Sequence, residues 1–127
     1  MNIEIHNHPL SIYLAEDNPD HAELIMDMLD ESGISHHIHH FDNGAILLDF
    51  LSSSPQKADL ILLDIKMPKM NGLAALEKIR SLPEYLKTTI LIITTSTIKA
   101  DVTQAITLGA NAVITKPLSF NDLQKFL

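Results

Sequence analysis

Carboxylates, a hydroxyl and an ammonium group each stand at the end of a run of apolar residues. The residues concerned are Glu16, Asp17, Asp64, Thr94 and Lys116. Three carboxylates in one crevice would repel each other unless a cation lay among them. Oxygen ligands of this kind favour Mg²⁺, which takes one or two carboxylates and keeps several waters. A metal ion and a lysine on the oxygens of a phosphoryl group, with a carboxylate to attack its phosphorus, would be suited to phosphoryl transfer.

The apolar pattern predicts strands that alternate with helices. Strands are expected at 10–14, 36–41, 59–64, 89–94 and 111–115. Helices are expected at 19–32, 45–51, 73–80 and 100–108, and a last helix, short or truncated, begins at residue 119. This alternation predicts an α/β protein with a doubly wound parallel sheet and helices on both faces. Open sheets of this class bind ligands at the carboxyl ends of their strands, so the polar residues should share one crevice.

Composition sets the class of protein. A chain of 127 residues is the size of one domain, and we expect a single domain over 1–127 in which residues 1–9 are an N-terminal extension. The net charge of −7, without a Lys/Arg cluster, argues against direct binding of nucleic acid. The lack of cysteine excludes disulfides and thiolate chemistry. No run approaches the ~18 apolar residues that span a bilayer, and no signal peptide is evident, so we expect a cytoplasmic protein without membrane attachment.

Taken in order, these motifs resemble the receiver domain of two-component response regulators. The motifs are Glu16-Asp17-Asn18-Pro19, Asp64 followed by Met67-Pro68 and Asn71-Gly72, then Thr94, and finally Lys116-Pro117. The resemblance extends from Leu10 into the last helix. It implies a flavodoxin-like fold with five parallel strands in the order 2-1-3-4-5.

The resemblance also implies roles for the residues. Asp64 would be the phosphoacceptor. Glu16 and Asp17 would hold Mg²⁺ together with Asp64, and Asp17 would be the more direct ligand of the acidic pair. The backbone carbonyl of Lys66 would complete the protein's share of the metal ligands.

Two further residues complete the implied site, and together they imply a function. Thr94 would be the switch hydroxyl, and Lys116 would pair with a phosphoryl oxygen beside a cis bond to Pro117. Such a receiver takes its phosphoryl group from a sensor histidine kinase or a phosphotransfer protein, and catalyses only its own phosphorylation and dephosphorylation. The expected output is a changed partner contact, or a homodimer through the face formed by the fourth helix, fifth strand and fifth helix.

A finer resemblance and three departures concern the surroundings of the site. The run Thr94-Thr95-Ser96 and the Glu-Asp-Asn-Pro opening look most like small single-domain regulators that pair with phytochrome-like histidine kinases. Val113 stands where a switch aromatic is expected, so the usual coupling of threonine to an aromatic cannot operate. Thr95 replaces a common alanine and would narrow access to the site. Lys66 places a cation two residues after the acceptor.

Four histidines share the second predicted strand, which reads HHIHHF. Alternation puts His36 and His40 on one face and His37 and His39 on the other. Histidines two residues apart can chelate zinc or nickel, and they also suit a polar strand at the edge of a sheet. Both interpretations stay open at this point.

Two other functions compete with a phosphorylated receiver. One is a phosphate-independent interaction module on the same fold, suggested by Val113 and Lys66. The other is an unrelated small-molecule enzyme or flavin binder on a similar sheet. A Gly-rich phosphate loop of the Rossmann or P-loop type is missing from the sequence, which counts against the enzyme.

Overall fold

Five parallel strands form one sheet in the order β2-β1-β3-β4-β5 in the computed structural model, which describes residues 8–53, 57–95 and 98–127. The strands are β1 (Leu10–Ala15), β2 (His36–Phe41), β3 (Leu60–Asp64), β4 (Thr89–Thr94) and β5 (Ala112–Thr115). The order confirms the predicted flavodoxin-like, doubly wound sheet. It also confirms that the histidine-rich strand β2 lies at an edge.

Helices connect the strands in turn. They are α1 (Pro19–Ser32), α2 (Gly44–Ser53), α3 (Gly72–Arg80), α4 (Lys99–Thr107) and α5 (Phe120–Gln124), with a 3₁₀ turn at Pro83–Tyr85. The last helix is five residues long, as short as predicted. In the described part of the chain, no helix is long and apolar enough to cross a membrane.

Two cores, one on each face of the sheet, hold the layers together. Leu60 and Leu62 of β3 pack towards α1 and α5, whereas Ile61 and Leu63 pack towards α2 and α3. Successive side chains of a strand point to opposite faces, so a strand covered on both faces needs apolar residues at every position. All five residues of β3 are accordingly buried, including the terminal Asp64.

Capping residues fix the start and end of α1. The side chain of Asn18 accepts hydrogen bonds from the backbone N–H groups of Asp20 and His21, which satisfies donors that a helix start leaves unpaired. Gly33 ends the helix in a left-handed conformation with φ 81°. The predicted bounds of this helix are confirmed.

The second helix is longer than predicted. It was expected at 45–51 but runs from Gly44 to Ser53. The hydroxyls of Ser52 and Ser53 donate to the carbonyls of Leu48 and Asp49, one turn back. Serine hydroxyls that bond back to carbonyls one turn earlier are compatible with a helical backbone, so both serines belong to the helix.

Candidate functional site

Strand register brings the predicted site residues to the same end of the sheet. Ala15 of β1 pairs with Leu63 of β3, so Glu16 lies beside Asp64. The register of β3 with β4 and of β4 with β5 then places Thr94 and Lys116 each one residue further along. The sheet therefore forms the crevice that the sequence predicts.

Three carboxylates meet in this crevice. Glu16, Asp17 and Asp64 each offer one oxygen, and these oxygens lie within 4.8 Å of one another. Glu16 is 0 % exposed and Asp64 is 6 % exposed, whereas Asp17 faces solvent. Three carboxylate oxygens at this spacing fit a hard divalent cation.

Lys116 supplies a positive charge to the same crevice. Its ammonium donates to Glu16 Oε1 and lies 3.3 Å from Asp64 Oδ2. The side chain is 10 % exposed, so water screens these contacts only partly. The backbone N–H of Lys116 donates to the carbonyl of Thr94 over 2.8 Å, and the peptide bond to Pro117 is cis, as expected.

Burial controls the charge of Glu16. Removal from water raises the pKa of this carboxyl to about 7, against the opposing effect of the hydrogen bond from Lys116. The neighbouring Asp64 raises it further, and a hydrogen bond from the backbone N–H of Asn18 lowers it. Glu16 thus changes its protonation state close to neutral pH.

Close packing by Gly72 fixes the backbone of Asp64. A Cβ atom at position 72 would lie 2.1 Å from the carbonyl oxygen of Asp64. The backbone N–H of Gly72 donates to the carbonyl of Ile65 over 2.9 Å, which closes the loop after β3. Lys69 in this loop has a left-handed φ of 66°, and Asn71 caps α3 by accepting from the N–H of Ala74. The Asn-Gly pair therefore orients the strand end that carries the acid.

The remaining predicted positions lie around this centre. Thr94 is buried at the end of β4, and Lys66 and Thr95 are exposed in the loops after β3 and β4. Ser96 lies outside the described residues. Val113 is partly buried in β5 and packs against the core on the α2 and α3 side.

The family model of the response regulator receiver domain matches residues 12–127. The chain belongs to this family. It is a receiver domain of two-component response regulators, a signalling module whose family function is a phosphorylation-based switch between a histidine kinase and an output. The acidic cluster at the strand ends fits the metal site of such a receiver.

Relatives of this receiver include small regulators. It is 32 % identical over 121 residues to the probable methanogenesis regulatory protein FilR2 of Methanothrix harundinacea, covering 92 % of this chain and 78 % of that protein. The Mn²⁺-bound structure of response regulator Rcp1 is 30 % identical with a TM-score of 0.80, covering 92 % of this chain and 88 % of that one; Rcp1 is a protein of Synechocystis sp.. The bacteriophytochrome response regulator AtBRR is 28 % identical with a TM-score of 0.82, covering 94 % and 90 %.

Three histidines of the receiver's edge strand contact different partners. His36 contacts the carbonyl of Ile34 through Nδ1 at 2.7 Å and Asp30 through Nε2 at 3.3 Å. His40 Nε2 lies 2.7 Å from the carbonyl oxygen of Glu16, and the ring of His39 stacks on a phenylalanine of α2. Across residues 8–53, 57–95 and 98–127, the acidic trio is the sole group of three potential ligands. Strand β2 is thus a polar strand at the edge of the sheet, and within the described part of the chain none of its histidines belongs to a group of three potential ligands.

Sequence reasoning missed His21. Its Nδ1 lies 2.9 Å from the Lys116 ammonium, although the two residues are 95 positions apart. The available signal was the cap at Asn18, which places His21 in the first turn of α1, next to the acidic pair. A depression of about 250 Å³ opens beside this contact. Its lining includes His21, Leu24, Thr95, Lys116, Pro117 and Leu118.

Proposed function

We propose that this receiver accepts a phosphoryl group on the carboxylate of Asp64 and that phosphorylation changes its binding to a partner. The observation that supports the proposal is the Lys116 ammonium, which contacts both Glu16 and Asp64 at the end of the sheet. An incoming phosphoryl group needs positive charge around its oxygens and a fixed nucleophile in line with its phosphorus. Asp64 on a buried strand meets the second need, and Lys116 meets part of the first.

Mg²⁺ would meet the rest of that need. We propose that the carboxylates of Glu16, Asp17 and Asp64 hold the ion together with the backbone carbonyl of Lys66. The three carboxylate oxygens within 4.8 Å support this assignment, and the related Rcp1 was crystallised with Mn²⁺, another cation that prefers oxygen ligands. Bound Mg²⁺ would neutralise charge on the phosphoryl oxygens during transfer.

The proposed phosphoryl transfer is a nucleophilic displacement at phosphorus. An oxygen of Asp64 attacks the phosphorus of a phosphohistidine, on a sensor histidine kinase or a phosphotransfer protein. The phosphorus–nitrogen bond breaks, and its electron pair returns to the donor imidazole, which takes up a proton. Lys116 and the hydroxyl of Thr94 donate to phosphoryl oxygens. Attack by water later releases inorganic phosphate and restores the carboxylate. In this proposal the protein catalyses only its own phosphorylation and dephosphorylation.

The output is proposed to involve the face formed by α4, β5 and α5. Ile98, just before α4, and Ile106 within it are apolar side chains exposed to 57 % and 50 %. A homodimer through this face would cover such side chains. With Val113 in place of an aromatic, the switch would act through the backbone contact between Lys116 and Thr94 rather than through a ring.

The proposal also includes the type of partner and the location of the protein in the cell. The net charge of −7 supports a protein partner rather than direct contact with nucleic acid. A cytoplasmic location belongs to the same proposal, because a histidine kinase draws its phosphoryl group from ATP.

A second candidate function is a phosphate-independent interaction module. Val113 favours it, because a receiver without the switch aromatic lacks one route from the phosphoryl group to the output face. Equal partner affinity before and after phosphorylation would support this alternative, whereas a change of affinity would support the switch.

Intact mass after incubation with Mg²⁺ and acetyl phosphate tests the leading proposal. The native chain should gain a single phosphoryl group only when Mg²⁺ is present, and Asp64→Asn should gain none. Asp59→Asn is the matched control, since Asp59 precedes the other end of the same strand and bonds to the N–H of Ser11. Phosphorylation of Asp64→Asn at the native rate would overturn the proposal.

A further inference from the structure

The ammonium of Lys116 has three protons and three acceptors. They are Glu16 Oε1, Asp64 Oδ2 at 3.3 Å and His21 Nδ1 at 2.9 Å. A lysine ammonium donates and cannot accept. For the lysine to donate to this nitrogen, Nδ1 of His21 must carry no proton, so the contact requires the tautomer with its proton on Nε2.

The backbone fixes His21 in place for this contact. Asn18 Oδ1 accepts from the N–H of His21 over 3.2 Å, and the N–H of Asn18 itself donates to Glu16 Oε2 over 3.2 Å. One short segment therefore joins the buried acid, the helix cap and the imidazole. His21 is partly buried, and its backbone is held by the cap at Asn18.

We propose that His21 is a positioning residue for Lys116, a role that rests on the proposed phosphorylation of Asp64. The imidazole holds one proton of the ammonium and leaves the other two for oxygen acceptors in the crevice. When a phosphoryl group is attached to Asp64, the proton that faces Asp64 Oδ2 turns to a phosphoryl oxygen while His21 keeps its own contact. Because His21 already holds the side chain of Lys116 in place, the lysine does not have to change rotamer before the phosphoryl group is transferred.

Two substitutions of His21 separate this role from simple packing. His21→Leu fills similar space but removes the acceptor, whereas His21→Asn can place an amide oxygen close to the position of Nδ1. We expect His21→Leu to take up phosphoryl groups from acetyl phosphate about five- to tenfold more slowly, the effect of one hydrogen bond. His21→Asn should recover most of the native rate. Mg²⁺ affinity should stay within about twofold in both variants, because His21 contacts the lysine and not the carboxylates.

Imidazole ¹⁵N spectra test the contact itself, without donor or metal. His21 should show an unprotonated Nδ1, and this signature should change in Lys116→Met. His36 is an internal control, because its Nδ1 faces the carbonyl of Ile34 and must carry a proton.

Three results would overturn the positioning role alone, and a fourth would reject the proposed function. A proton on Nδ1 of His21, or equal rates for His21→Leu and the native chain, would overturn the positioning role while leaving phosphorylation of Asp64 intact. Equal slowing in His21→Leu and His21→Asn would also overturn it, since packing alone would then explain the loss. Failure of the native chain to be phosphorylated by any donor would instead reject the proposed function, and the positioning role with it.

Discussion

Two groups of chemically active side chains behave in opposite ways in this receiver. The acids and the lysine are far apart in the sequence, yet the structure gathers them within hydrogen-bonding reach. The histidines of β2 are neighbours in the sequence, yet the rings of His36, His39 and His40 contact separate partners on α1, on α2 and just after β1. Parallel strands in register align their ends, whereas residues along one strand alternate between faces. Position relative to strand ends therefore predicts a shared site better than proximity in sequence does.

Removing the lysine should produce the largest effect. Lys116→Met should slow phosphorylation by acetyl phosphate at least about 100-fold, the usual loss when a donor to developing charge is deleted. His37→Gln, which exchanges one polar side chain on β2 for another, should leave the phosphorylation rate unchanged. Initial rates from intact mass measure both. A similar loss of rate in the two variants would show that the strand-end residues and the histidines of β2 do not differ in function.

Crowding the acid should cost stability. Gly72→Ala places a Cβ atom 2.1 Å from the carbonyl of Asp64, and we expect a loss of about 2–3 kcal/mol in the free energy of unfolding. Gly33 leads into β2 and has nothing within 4 Å of an added Cβ. Gly33→Ala should therefore cost about 1 kcal/mol, from its positive φ alone. Urea unfolding compares them, and a smaller loss for Gly72→Ala than for Gly33→Ala would contradict the packing argument.

Mg²⁺ affinity should depend on pH through Glu16. Burial raises the pKa of this carboxyl to about 7, so a proton competes with the metal below that pH. Apparent affinity should rise with pH, by at most about tenfold per unit, and level off above the pKa. Titrations at several pH values measure this, with Glu16→Gln as the control that should flatten the profile. A flat native profile would show that Glu16 is not a ligand.

Substitution on the edge strand should have the smallest effect. His36→Ala removes a contact to Asp30, whose side chain is 73 % exposed, so the loss of stability should be about 0.5–1 kcal/mol. Phosphorylation should proceed at the native rate. Thermal unfolding and the mass assay provide the two readouts. A slower rate in His36→Ala would extend the functional site to β2.

The sequence predicts the fold and the strand-end residues for one physical reason. Apolar runs such as β3 show no alternation because both faces are covered, and this marks where each strand ends. Once the ends are known, the parallel arrangement brings Asp64, Thr94 and Lys116 together. The end of α2 is harder to predict from sequence, because serines are common where helices stop, whereas Ser52 and Ser53 bond back to carbonyls one turn earlier and stay helical.

Contacts between distant side chains could not be predicted in the same way. The bond between His21 and Lys116 depends on the rotamers of both residues and on how α1 lies against the loop after β5. The tight approach of Gly72 to Asp64 depends on how the loop after β3 folds back. Local sequence propensity carries no information on either contact, because both arise from tertiary packing.

The bond from Lys116 to Glu16 joins residues 100 positions apart, which has a consequence for folding. Closing so long a segment is entropically costly, and sheets built from distant parallel pairings form slowly. The pairing of β1 with β2 joins segments much closer in the sequence, so its closure costs less entropy. Competence to react with a phosphoryl donor should therefore appear only with the last stage of folding, which makes the site a chemical probe of the completed sheet.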